Sequence, residues 1–199
     1  MSGAPRLISS ATEFTFAGRS DDIAAFARDF RALARRRLVI TGGAGMGKTT
    51  LAVQLLLELL RTRATDQAAA GEGEIVPVPV LLPVSRWDLT ECPRLHDWLA
   101  VRLPQDYPAL RDPELGVDAA AALVAGGHIL PVLDGLDEIG EQARASVIAA
   151  LNTSLGAHDQ LILTTRRAEF AAAVAEAGRR RLAAIPRRRL RCAREGRPR

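Results

Sequence analysis

The chain of 199 residues is long enough for one α/β domain and a short tail but not for two full domains with a linker. Its 48% hydrophobic content, with only 4% aromatic, implies a core of Ala, Leu and Val and excludes disorder throughout. The net charge of +4 is unevenly spread, because residues 178–199 carry ten Arg and one Glu while the remainder carries 17 basic and 22 acidic residues. The basic character therefore belongs to the tail and does not argue for a nucleic-acid-binding body.

Ser20, with Asp21 and Asp22 behind it, has the chemistry of a helix start, and Ile23, Phe26, Phe30 and Leu33 then fall on one face. Leu38–Ile40 is a short apolar run before a glycine-rich turn, and it reads as a buried strand. A helix is predicted from about Lys48 to Leu60, closed off by the Gly71–Gly73 loop. The next apolar run, Ile75 to Val84, contains Pro77, Pro79 and Pro83. Proline cannot donate to a ladder, so this strand is placed at a sheet edge. Helices follow at Leu95–Leu103 and Ala119–Val124, then a strand at His128–Leu133, a helix at Arg144–Leu151, a strand at Leu161–Thr164 and a helix at Ala168–Ala177. Strands alternating with helices predict a three-layer α/β fold on a parallel sheet, with ligands at the carboxyl ends of its strands.

Gly42-Gly43-Ala44-Gly45-Met46-Gly47-Lys48-Thr49 fits the phosphate-binding pattern G-x-x-x-x-G-K-[ST], with a strand before it and a helix after it. Glycines let successive N–H groups converge on phosphate oxygens, and the helix that starts there adds its positive end. Lys48, the only lysine in the chain, would reach the β- and γ-phosphates; the Thr49 hydroxyl would ligate Mg²⁺, and Thr50 extends the candidate nucleotide site. The run Ile129–Asp134 then delivers a carboxylate to the same edge. Asp134 is the candidate second Mg²⁺ ligand, and Asp137 or Glu138 is the candidate group that polarises the attacking water. Thr165 and Arg166, at the end of the last strand, are expected near the γ-phosphate, with Arg166 counted among the catalytic candidates.

Three stretches, GGAGMGKTTL (42–51), LPVLDGLDE (130–138) and LILTTR (161–166), together resemble the NACHT domain of the STAND class of P-loop NTPases. PVLLPVSRWD (79–88) is similar to the edge strand of bacterial NACHT proteins, and Phe16-Ala17-Gly18-Arg19 resembles the hhGR motif of AAA+ and STAND proteins, near the base. The resemblance implies a sheet order of 5-1-4-3-2, with the fifth strand missing or degenerate here. It also implies a nucleotide-binding switch, ATP ahead of GTP, that is Mg²⁺-dependent, hydrolyses weakly and forms homo-oligomers through the NTPase domain.

The expected organisation is an N-terminal segment (1–15), the NACHT-like domain (16–177) and a disordered Arg-rich tail (178–199), the tail being attributed to a truncated or frame-shifted reading frame. Cys92 and Cys192 form no CxxC or Cys/His metal pattern, and no stretch reads as a signal peptide or a membrane span, so a reduced, cytoplasmic chain with no membrane partner is expected. Trp87, Trp98 and Tyr107 read as packing residues, and His96, His128 and His158 lack ligand spacing. The tail interleaves no aromatics with its arginines, so no specific nucleic-acid binding is expected. The alternatives are another P-loop class, an AAA+-like ATPase or a phosphotransferase, and a non-catalytic remnant acting through its basic tail.

Overall fold

The structure, a computed structural model, describes residues 22–183. The Phe16–Arg19 motif, Ser20, Asp21, the first 15 residues and the arginines beyond 183 lie outside the described residues.

Ten elements follow one another: α1 (Asp22–Ala32), β1 (Arg37–Thr41), α2 (Lys48–Ala69), β2 (Val78–Pro83), α3 (Leu95–Asp106), α4 (Ala119–Ala125), β3 (Ile129–Asp134), α5 (Glu141–Ser154), β4 (Leu161–Thr165) and α6 (Arg167–Ala183). The four strands are all parallel, in the order β1-β4-β3-β2. That is the expected 5-1-4-3-2 order over the described strands. Among the described residues β2 lies at an edge and pairs with β3 alone, which accommodates Pro79 and Pro83. Pro131 sits in an inner strand, and the β3–β4 ladder begins one residue after it, at Val132↔Ile162.

β2 is shorter than the Ile75–Val84 run, leaving Pro77 outside it, α3 and α5 run about a turn further than read, and two helices are much longer than the sequence reading. α2 runs on to Ala69 because residues 61–69 contain neither Gly nor Pro and stitch their polar face together: Arg61 grips Glu58 at 2.8 Å, and the Thr62 hydroxyl reaches Asp66 at 2.9 Å. α6 continues through Ala183, past Gly178, where the tail was expected to begin.

Side chains alternate across the sheet and divide the core in two. Leu130 and Val132 of β3 and Ile162 of β4 join Phe26 and Phe30 of α1 and Ala52, Leu55 and Leu59 of α2 on one face. Leu133, Leu161 and Leu163 join the residues of α3 to α6 on the other. There Trp87 and Trp98 are buried and stacked with ring centroids 5.3 Å apart, whereas Tyr107 is largely exposed. Leu163 is fully buried at the centre of this layer. Leu163→Ala should therefore lower the unfolding free energy by about 2–5 kcal/mol in denaturant titrations, while Val117→Ala, at a fully exposed position, should stay within about 0.5 kcal/mol of wild type.

The amino-terminal edge of the sheet is closed by a polar clasp. The Asp159 carboxylate accepts from the Gly156 amide at 2.6 Å and faces His96 Nε2 of α3 at 3.4 Å, while Arg37 of β1 donates to the Asp159 carbonyl at 3.0 Å. The hydrogen bond to Asp159 raises the His96 pKa above its ordinary 6.5, and the same bond lowers that of Asp159 below 3.8. His96 binds its proton more tightly folded than unfolded, so its contribution is complete below about pH 6.5 and disappears as pH rises through the folded value. Asp159 contributes above about pH 4 and loses its contribution as pH falls through its lowered folded value. The stability difference between wild type and His96→Ala should accordingly be largest between about pH 4.5 and 6.5, shrink toward pH 8, and stay under about 1 kcal/mol because His96 is about one-third exposed.

Candidate functional site

At the opposite, carboxyl edge, the ends of β1, β3 and β4 converge. β1 leads into the loop of residues 42–47, which passes directly into α2. Gly47 takes the left-handed conformation (φ 73°) that turns the chain into the helix, a backbone state costly for a residue with a Cβ. Most of the loop faces outward, with Met46 at 75% exposure, while Lys48 folds inward and donates to the Gly43 carbonyl at 3.1 Å.

Strand alternation determines which side chains meet. Leu130 and Val132 face α2, so Asp134, two residues on, faces α2 as well. The same parity carries Ile162 of β4 on to Thr164. The Thr49 hydroxyl, in the first turn of α2, reaches the Asp134 carboxylate oxygens at 3.0 and 3.1 Å. Thr164 donates its hydroxyl to Asp134 Oδ1 at 2.5 Å and accepts from the Gly135 amide at 2.9 Å. Thr164 is thus the residue that the sequence reading missed. Thr165, which was expected toward the phosphate, has the opposite parity, is fully buried and makes a 3.4 Å contact with the Arg166 carbonyl. Because β4 is buried on both faces, its sequence carries no alternation from which that parity could be read.

A second cluster adjoins the first. Asp137 Oδ2 lies 2.9 Å from Arg166 Nε and 3.8 Å from Lys48 Nζ, with its side chain only 7% exposed. Its other oxygen, Oδ1, is buried without a hydrogen-bond partner. Arg166 also approaches Glu169 at 3.7 Å. The structure therefore brings Lys48, Thr49, Asp134, Asp137 and Arg166 together, whereas Glu138 and Thr50 stand exposed at the rim. Gly135 explains how two such different acids fit in one turn. It is left-handed (φ 79°), and a Cβ there would lie 2.9 Å from the Glu138 carboxylate folded over it. A separate open groove of about 910 Å³ runs between residues 84–90 and the start of α5 and shares no residue with these clusters.

Thr49 and Asp134 offer one neutral and one anionic hard oxygen at a common point, the donor chemistry Mg²⁺ accepts when phosphate and water fill its remaining positions. Among the described residues, no helix is long and apolar enough to cross a membrane.

A family model described as "NACHT domain" matches residues 36–186, well over half of the chain. No curated protein and no solved structure gives a match.

Thr164→Val keeps the side-chain volume but leaves the buried Gly135 N–H without its acceptor and Asp134 without one donor. It should cost about 1–3 kcal/mol of stability in thermal or denaturant unfolding, against a much smaller effect for Thr50→Val at the exposed rim.

Proposed function

This chain belongs to the NACHT domain family, P-loop NTPases of the STAND type, and from that premise we propose that it binds a Mg²⁺–nucleoside triphosphate at the carboxyl edge of its sheet and uses nucleotide state as a conformational switch. The observation that carries this reading is the meeting of the Thr49 hydroxyl and the Asp134 carboxylate beside the only lysine in the chain. Backbone amides of residues 42–49 cradle the phosphates, and Lys48 supplies the positive charge at the β- and γ-phosphates. Thr49 and Asp134 hold Mg²⁺, which when bound neutralises phosphate charge and orients the terminal phosphoryl group. Arg166 reads the γ-phosphate from the end of β4.

Glu138 and Asp137 share the work on water. Glu138, exposed at the rim, is free to accept a proton from a water approaching the terminal phosphate, while the buried Asp137 orders the cations around it. ATP is the nucleotide that the family resemblance implies. Turnover is slow, because Gly43 to Gly47 are all solvent-exposed and water is poorly excluded from the reacting group. Nucleotide state controls self-association through the NTPase domain in the cytoplasm, with residues 16–177 as the functional unit.

Equilibrium binding of fluorescent ATP and GTP analogues to the full chain tests the reading. Wild type should bind saturably, with ATP favoured over GTP and affinity raised by Mg²⁺; Lys48→Ala should weaken binding by at least about tenfold, equivalent to about 1.4 kcal/mol. Asp134→Asn should abolish the gain from Mg²⁺. Binding indifferent to Lys48 would contradict the assignment.

A further inference from the structure

Each cation of the site is committed to protein oxygens. Lys48 Nζ is held by the Gly43 carbonyl at 3.1 Å and faces Asp137 at 3.8 Å; Arg166 is gripped by Asp137 at 2.9 Å through Nε and faces Glu169 at 3.7 Å through Nη1. Both cations converge on a single oxygen, Asp137 Oδ2. Two positive side chains drawn to one point repel each other unless an anion stands between them, and here that anion is a carboxylate more than nine-tenths buried. Its second oxygen is buried and has no hydrogen-bond partner among the described residues, an arrangement that is costly for a carboxylate. A well-hydrated acid gains nothing by entering such a position. A terminal phosphate, with more charge and more acceptor oxygens, would satisfy the same two cations better.

We propose that Asp137 is a resident stand-in for the terminal phosphate, holding Lys48 and Arg166, so that a triphosphate binds by taking these cations from it. The proposal rests on the nucleotide-binding reading above and adds how the site tells nucleotides apart. A diphosphate competes for Lys48 alone and leaves the Asp137–Arg166 pair closed. A triphosphate competes for both and opens it. Arg166 directly precedes α6 and its carbonyl accepts from the Phe170 amide in the first turn, so the exchange moves a residue joined to a helix that packs against α5 and carries the change away from the site. Asp137 acts here as a positioning residue, working through the two cations.

The test is equilibrium binding of fluorescent tri- and diphosphate analogues to the full chain carrying Asp137→Asn, Arg166→Gln or both, with Glu141→Gln as a control that removes the same unit charge from an exposed acid outside the site. Asp137→Asn should tighten triphosphate binding about fivefold or more, exceed both its own effect on diphosphate and the effect of Glu141→Gln, and lose most of that excess when Arg166→Gln is also present. Arg166→Gln alone should weaken triphosphate binding and leave diphosphate binding within about twofold, and Asp137→Ser, which also removes the charge, carries the same test if Asp137→Asn does not fold. Weaker or unchanged triphosphate binding by folded Asp137→Asn, an equal effect on both nucleotides, or an equal effect of Glu141→Gln overturns the proposal while leaving Lys48-dependent binding intact. Absence of Lys48-dependent binding in wild type overturns the nucleotide reading and the exchange with it.

Discussion

The carboxylate of Asp134 joins three parts of the chain that are far apart in sequence. It receives the hydroxyl of Thr49 from the first turn of α2 and that of Thr164 from β4, while standing itself at the end of β3. These contacts exist because the strands are parallel: only then do the ends of β1, β3 and β4 open on one edge, with α2 starting there. Strand alternation does the rest, turning Asp134 and Thr164 toward the helix while Leu133 and Leu163 fill the opposite layer. The site is therefore built on buried strands and a helix start, with the glycine loop and the turn after β3 attached to them.

Charge is arranged around that anchor with little to spare. The body of the chain is acidic, and the turn after β3 places Asp134, Asp137 and Glu138 within five residues. Like charges at this spacing are tolerated because each has a different environment. Asp134 is hydrogen-bonded by two hydroxyls, Asp137 is flanked by two cations, and Glu138 faces solvent. One left-handed glycine, Gly135, makes that separation geometrically feasible.

Much of this was legible in the sequence, for local reasons. The phosphate-loop pattern, the apolar strand ending in Asp134 and the prolines that send β2 to an edge are all short-range signals, and the sheet order agrees with them. The length of α2 was not, because its last nine residues are six polar ones and three alanines, tied by ion pairs and hydrogen bonds, with no large apolar stripe to mark them. Thr164 escaped notice because β4 is buried on both faces and either threonine could have pointed to the site. The pairing of Asp137 with Arg166 and Lys48 depends on side chains from three elements meeting in space, and no spacing in the chain encodes that. Burial then distinguished Asp137 from Glu138, which the sequence left equivalent.

The most direct test of the account is to map amide hydrogen exchange along the chain with and without Mg²⁺–ATP. Protection should appear together in residues 42–50, 134–138 and 165–167, with residues 84–90 beside the separate groove and residues 156–159 at the opposite edge unchanged. Protection confined to residues 84–90 and the start of α5, or none in the glycine loop, would contradict a nucleotide site built on Lys48, Thr49 and Asp134.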